Sequence, residues 1–112
     1  MTVDDVVKTL NLKVFCGEEG LSRQVENGYT SDLLSDVMGH ADAGSIWITL
    51  QSHINIMAVA SLKELAGIVL VKGNKPDEDT IRQSNIEGIP ILGTDLEAFE
   101  ISGRLYQLIR GA

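Results

Sequence analysis

Hydrophobic positions are organised most sharply in the second half of this chain, as short continuous runs separated by polar turns. Ser45-Ile46-Trp47-Ile48-Thr49-Leu50 reads as a buried strand, and Gln51-Ser52-His53 as a tight polar turn after it. Ile54 to Ala66 predicts a helix that is apolar on most sides, capped by Ser52 and ended by Gly67. Ile68-Val69-Leu70-Val71 is a β-branched run of the kind buried on both faces of a parallel sheet. After the turn Lys72-Gly73-Asn74-Lys75, Pro76 fits the first position of another helix, with Asp77, Glu78 and Asp79 in its first turn. Gly88 marks the end of that helix. Ile89-Pro90-Ile91-Leu92 predicts a third strand, placed at a sheet edge because Pro90 has no N–H to donate. Thr94-Asp95-Leu96-Glu97 has the spacing of a capping box for a last helix carrying Leu96, Phe99, Ile101, Leu105, Leu108 and Ile109. Gly103 inside that helix costs about 1 kcal/mol against alanine, so close packing is expected there.

The first 44 residues are patterned less strongly. Thr2 predicts an N-cap, Asp4 and Asp5 suit the first turn, and Val3, Val6, Val7 and Leu10 form one helical stripe. Lys13-Val14-Phe15-Cys16 reads as extended, with Gly17-Glu18-Glu19-Gly20 as a turn. Gln24 to Thr30 predicts an edge strand with a turn or bulge at Asn27-Gly28. Ser31 or Asp32 caps a short helix carrying Leu33, Leu34, Val37 and Met38, which Gly39 closes before His40.

Three consecutive βα units imply an α/β fold: a mainly parallel sheet with helices packed over it and right-handed crossovers. The N-terminal helix and an antiparallel or edge strand complete it, as a single domain over residues 1–112.

Composition narrows the partners. Of the 112 residues, 44% are hydrophobic and 22% charged, a globular balance. The formal net charge of −7 argues against nucleic acid and anionic membrane surfaces, which basic surfaces bind. No run reaches the roughly 18 apolar residues of a membrane span, and the acidic start lacks a secretory pattern, so a cytoplasmic location is expected. Cys16 is the one cysteine, which leaves no intramolecular disulfide and no cysteine-based metal cluster.

Candidate chemistry gathers at the carboxyl ends of the strands, where open α/β sheets bind ligands. These ends supply Gln51, Ser52, His53, Lys72, Gly73, Asn74, Thr94 and Asp95. Each end leads into a helix N-terminus whose free amides suit a small anion; Ser52, Thr94 and Asp95 serve equally as caps if nothing binds. His53 has no companion nucleophile or orienting acid, so no catalytic set is assigned. The two histidines are not spaced as a metal pair on one helix, so no metal site is expected. Lys72 to Asp77 lacks the P-loop pattern, and no cofactor is expected. The all-round apolar character of Ile54 to Ala66 predicts burial by a second copy, hence a homodimer; burial under the N-terminal helices is the alternative.

Gly28-Tyr29-Thr30-Ser31-Asp32-Leu33-Leu34-Ser35-Asp36-Val37-Met38, Trp47-Ile48-Thr49 and Ala58-Val59-Ala60 resemble the DRTGG domain family, and the likeness runs on through Gly88-Ile89-Pro90-Ile91-Leu92 and Ala98-Phe99-Glu100. The resemblance covers nearly the whole chain. It implies a fold similar to the N-terminal domain of HPr kinase and a non-catalytic, dimeric regulatory role; related domains accompany CBS domains and phosphate acetyltransferases. The name-giving letters fall at Ser52-His53 and Val71-Lys72-Gly73, where only Gly73 matches. The leading expectation is a regulatory module that binds a nucleotide or phosphometabolite. A protein-interaction or scaffold domain without a ligand is the alternative, and a small enzyme using His53 and Lys72 a third reading.

Overall fold

A computed structural model describes residues 1–111. The elements run α1 (Val3–Leu10), β1 (Lys13–Cys16), a short 3-10 helix (Glu18–Ser22), β2 (Asn27–Thr30), α2 (Leu34–His40), β3 (Ser45–Thr49), α3 (Asn55–Leu62), β4 (Gly67–Leu70), α4 (Glu78–Glu87), β5 (Ile91–Gly93) and α5 (Ala98–Arg110). One five-stranded sheet has the order β1-β5-β4-β3-β2. β2, β3, β4 and β5 are parallel, and β1 adds to β5 antiparallel, with a bulge between Val14 and Cys16.

From β2 to β5 each crossover steps to the next strand in the same direction. Right-handed crossovers then put every intervening helix on one face. Accordingly Val37 of α2, Ile56, Met57, Val59 and Ala60 of α3, and Ile81 of α4 pack with Trp47, Ile68, Leu70 and Ile91 on one side of the sheet. Val3 and Val6 of α1 and Ile101 and Leu105 of α5 pack with Ile46, Ile48, Val69 and Leu92 on the other. Strand side chains alternate between the two faces, so sandwiching helices bury both, and β3 and β4 are buried throughout.

The expected fold class therefore holds, while several boundaries move. Thr2 forms its capping box with Asp5. Ser52 does not cap α3, which begins at Asn55 with Ile54 as its flanking residue. That helix stops at Leu62 because Glu64 takes a left-handed conformation (φ 54°), and Gly67 opens β4 instead of closing a helix. Pro76 lies before α4, whose first residue is Glu78. Pro90 precedes an interior strand: its carbonyl accepts from Ile68 N–H, and pairing with β1 begins only after it, so the missing donor costs nothing. Thr94 accepts from Leu96 N–H in a local turn, while α5 starts at Ala98 without a side-chain cap. Asn27 and Gly28 form regular parallel pairs with Ser45 and Ile46, and Gly39 lies within α2. A Cβ on Gly103 would meet nothing within 4 Å, so no packing inside the chain calls for that glycine.

Candidate functional site

The four parallel strands end on one edge. α4 leaves β4 for one face of the sheet, and α5 leaves β5 for the other. Adjacent strands whose connections diverge in this way open a crevice, the usual ligand position in an open α/β sheet. β1 closes its outer side: running antiparallel, it presents its first residues at the same edge, Lys13 opposite Gly93. The resulting cleft has a volume of about 380 Å³. Gly73 and Lys75 line it from the β4 loop, and Gly93, Thr94, Asp95 and Leu96 from the β5 loop. Asn11 comes from the C-terminal cap of α1, Lys13 and Phe15 from β1, and Arg104 from α5.

Backbone bonds lace the two loops together. Lys72 and Gly73 are both left-handed (φ 58° and 71°). Lys72 N–H donates to the Leu96 carbonyl and Gly73 N–H to the Thr94 carbonyl, each at 2.9 Å. The left-handed form costs an L residue such as Lys72 roughly 1–2 kcal/mol, which this lacing offsets. Thr94 N–H donates to Leu70, and Asn74 donates to the Val71 carbonyl through both its backbone (3.1 Å) and its side chain (2.7 Å). The expected free amides at this edge are therefore occupied at Lys72, Gly73, Asn74 and Thr94. Gly93 shapes the wall, since a Cβ there would overlap the Phe15 ring.

Charge is distributed unevenly. Three of the nine Lys and Arg residues line the cleft, against one of the sixteen acids, Asp95. Lys13 Nζ lies 5.1 Å from the centre of the Phe15 ring, within cation–π range. Arg104 donates to Glu100 one turn earlier at 2.7 Å. The cleft thus offers three cationic side chains, a hydroxyl and an aromatic face in a chain whose net charge is −7.

The eight sequence-derived residues divide. Gly73, Thr94 and Asp95 line this cleft, while Lys72 and Asn74 belong to its β4 turn without lining it. Gln51, Ser52 and His53 stand at the end of β3 in other contacts. Gln51 Nε2 donates to the Asp32 carbonyl. The Ser52 carbonyl accepts from Asp77 N–H and the Thr80 hydroxyl. Exposed His53 accepts from Asn55 N–H through Nδ1. His53 and Lys72 do not meet in this cleft, as the small-enzyme reading requires.

Asp32 organises the neighbouring loop rather than capping α2. One of its carboxylate oxygens accepts from the Thr49 hydroxyl and from Leu50 N–H, both at 2.9 Å. Trp47 Nε1 donates to the Ser31 carbonyl at 2.7 Å. Asp36 accepts from the Tyr29 hydroxyl at 3.0 Å. Hydrogen bonds from Ser31 and Tyr29 hold its carboxyl below the ordinary carboxylate range, while burial pushes the Tyr29 hydroxyl up. Burial likewise pushes up the Cys16 thiol, a small core side chain.

Asn11, Lys13, Phe15, Lys75 and Arg104 were not among the sequence candidates. Lys13 and Phe15 carry a signal, alternating on one strand and so sharing one face. Their approach to β5 depends on pairing across nearly eighty residues. Arg104 carries no local signal.

The DRTGG domain family model matches residues 5–108. No curated protein matches the chain. Seven chains of solved structures do. One is the CBS and DRTGG domains of the regulatory region of Clostridium perfringens pyrophosphatase, complexed with the activator diadenosine tetraphosphate. It superposes with a TM-score of 0.69 at 16% identity, over 91% of this chain and 44% of that one. This chain therefore spans less than half of that neighbour's length, and the likeness is one of fold. Among the described residues, no helix is long and apolar enough to cross a membrane.

Proposed function

Because this chain belongs to the DRTGG domain family, we propose that it is a non-catalytic regulatory module that forms homodimers and binds a nucleotide or phosphometabolite between the ends of β4 and β5. The observation that carries this reading is the cluster of Lys13, Lys75 and Arg104 around one acid, in a cleft beside the Phe15 ring. Cations suit phosphate, and an aromatic face suits a base. The structural neighbour is a regulatory region complexed with a dinucleotide polyphosphate. Of the sequence candidates, Gly73, Thr94 and Asp95 stay in the proposed site. Unpaired Cys16 suits a reducing compartment such as the cytoplasm.

The test is thermal unfolding against adenine and guanine nucleotides, diadenosine tetraphosphate and sugar phosphates. A ligand selective for the folded state stabilises it by about 2.7 kcal/mol at a hundredfold excess over Kd. We expect an upward shift with one compound, lost in a Lys13→Ala/Lys75→Ala variant that folds normally. No shift with any compound would overturn the ligand assignment. The second reading, a protein-interaction domain, is favoured by Phe99 and Tyr106 on α5, which are 93% and 61% exposed.

A further inference from the structure

We propose that a second copy of this chain docks on the outer face of α5, the two α5 helices crossing antiparallel over Gly103. The proposal rests on the homodimer reading above and gives it a surface. Ile101 and Leu105 turn into the core. At 100° per residue, Phe99, Gly103, Tyr106 and Arg110 form a stripe on the opposite side. Phe99 is the most exposed large hydrophobic side chain among the described residues, and Tyr106 is also exposed. Between them lies a shallow groove floored by Gly103, where a Cβ would meet nothing. A glycine in the middle of a helix, with no contact inside the chain that needs it, allows another backbone to approach closely.

Charge selects both the occupant and the direction. Glu97 and Glu100 stand at the start of α5 and Arg110, which also donates to Asn27 Oδ1 at 3.0 Å, at its end; Arg104 lies at the centre of the helix. An antiparallel copy sets the acidic start of each helix against the basic end of the other; a parallel copy sets like against like. A two-fold axis near Gly103 produces the antiparallel arrangement and makes the contact isologous, the form most homodimers take. It also brings Phe99 toward the partner's Tyr106. The competing face, the groove between α3 and α4 beneath exposed Leu62, is lined by Glu87 and by no Lys or Arg, so a two-fold there pairs no charges.

Sedimentation equilibrium of the full chain tests this. We expect twice the 12.1 kDa chain mass. Gly103→Gln and Phe99→Ala/Tyr106→Ala should each weaken the dimer by about tenfold or more, a change of 1.4 kcal/mol or larger. Glutamine is the better helix former, so unchanged or increased thermal stability of Gly103→Gln would separate a blocked interface from misfolding. A Gly103→Cys chain treated with an added oxidant should cross-link through residue 103. The wild type should not, because Cys16 is buried. A dimer that ignores both sets of substitutions and fails to cross-link overturns the α5 assignment and leaves the homodimer reading standing. A wild-type chain that is monomeric at its highest soluble concentration overturns both.

Discussion

At the scale of single residues, Asp32 shows how a side chain shifts from an expected local role to a longer-range one. Its spacing before Leu33 and Leu34 suggests a helix cap, yet its carboxylate spans to β3, where Thr49 is buried and presents a hydroxyl. A cap on α2 would leave that donor unmet; accepting from Thr49 and Leu50 together satisfies two groups with one oxygen. Asp32→Ala should therefore destabilise the fold by about 1–2 kcal/mol, the range for losing hydrogen bonds to a partly buried partner. Asp32→Asn, which keeps an acceptor oxygen, should cost clearly less. Urea midpoints of the two variants measure this, and equal losses would mean that the charge, not the acceptor geometry, carries the effect. Thr94 follows the same course, its hydroxyl closing a local turn with Leu96 instead of capping α5, while Ser52 joins two loops through its backbone carbonyl and not through a capping hydroxyl. Capping chemistry was legible in these residues, but the partner it serves was not, because it is set by neighbours distant in sequence.

At the scale of elements, the central strands were readable, as were the Thr2 start of α1 and the Gly88 end of α4, while the starts of α3, α4 and α5 were not. β3 and β4 announce themselves because a strand buried on both faces needs an unbroken apolar run, and no other local structure suits Ile68-Val69-Leu70-Val71 as well. Helix starts drift by several residues because the loops after β3, β4 and β5 fold on themselves before their helices begin. β1 is the least legible element. Its four residues lack a strong pattern, and only its antiparallel addition beside β5 brings Lys13 and Phe15 to the cleft. α2, only seven residues long, depends on tertiary anchors, among them the Tyr29–Asp36 hydrogen bond to β2. Because the folded state holds Asp36 below the ordinary carboxylate value, its contribution is fully present above that value and fades as pH falls through the lowered one. Asp36→Asn should lower the urea midpoint at neutral pH, and the gap from wild type should narrow as the pH falls below the ordinary carboxylate range. A gap that stays constant would show that the ionised carboxylate is not what anchors α2.

At the scale of the whole molecule, α5 connects the two proposed surfaces. Arg104 lines the cleft and, through its hydrogen bond to Glu100, also belongs to the charge pattern of the outer helix face. An anion that draws Arg104 into the cleft leaves Glu100 without its partner in the same helix, and in the proposed antiparallel dimer the basic end of the second copy would replace it. Ligand binding should thus tighten the dimer and, by reciprocity, dimer formation should tighten ligand binding by the same factor. Exposed ion pairs contribute about 0.2–1 kcal/mol, so the coupling is bounded at roughly a few-fold. Dimer dissociation constants with and without the compound found by thermal unfolding measure it directly, and Arg104→Ala should bring the two values together. Coupling that persists in Arg104→Ala would place the connection elsewhere, most simply in the backbone bonds from Lys72 and Gly73 to the loop that leads into α5. Equal constants in the wild type would mean that the cleft and the helix face act independently. The size of the effect suits a module that adjusts a partner activity by degrees, because an exposed arginine shared between two sites cannot supply the roughly 5.5 kcal/mol needed to invert a two-state equilibrium.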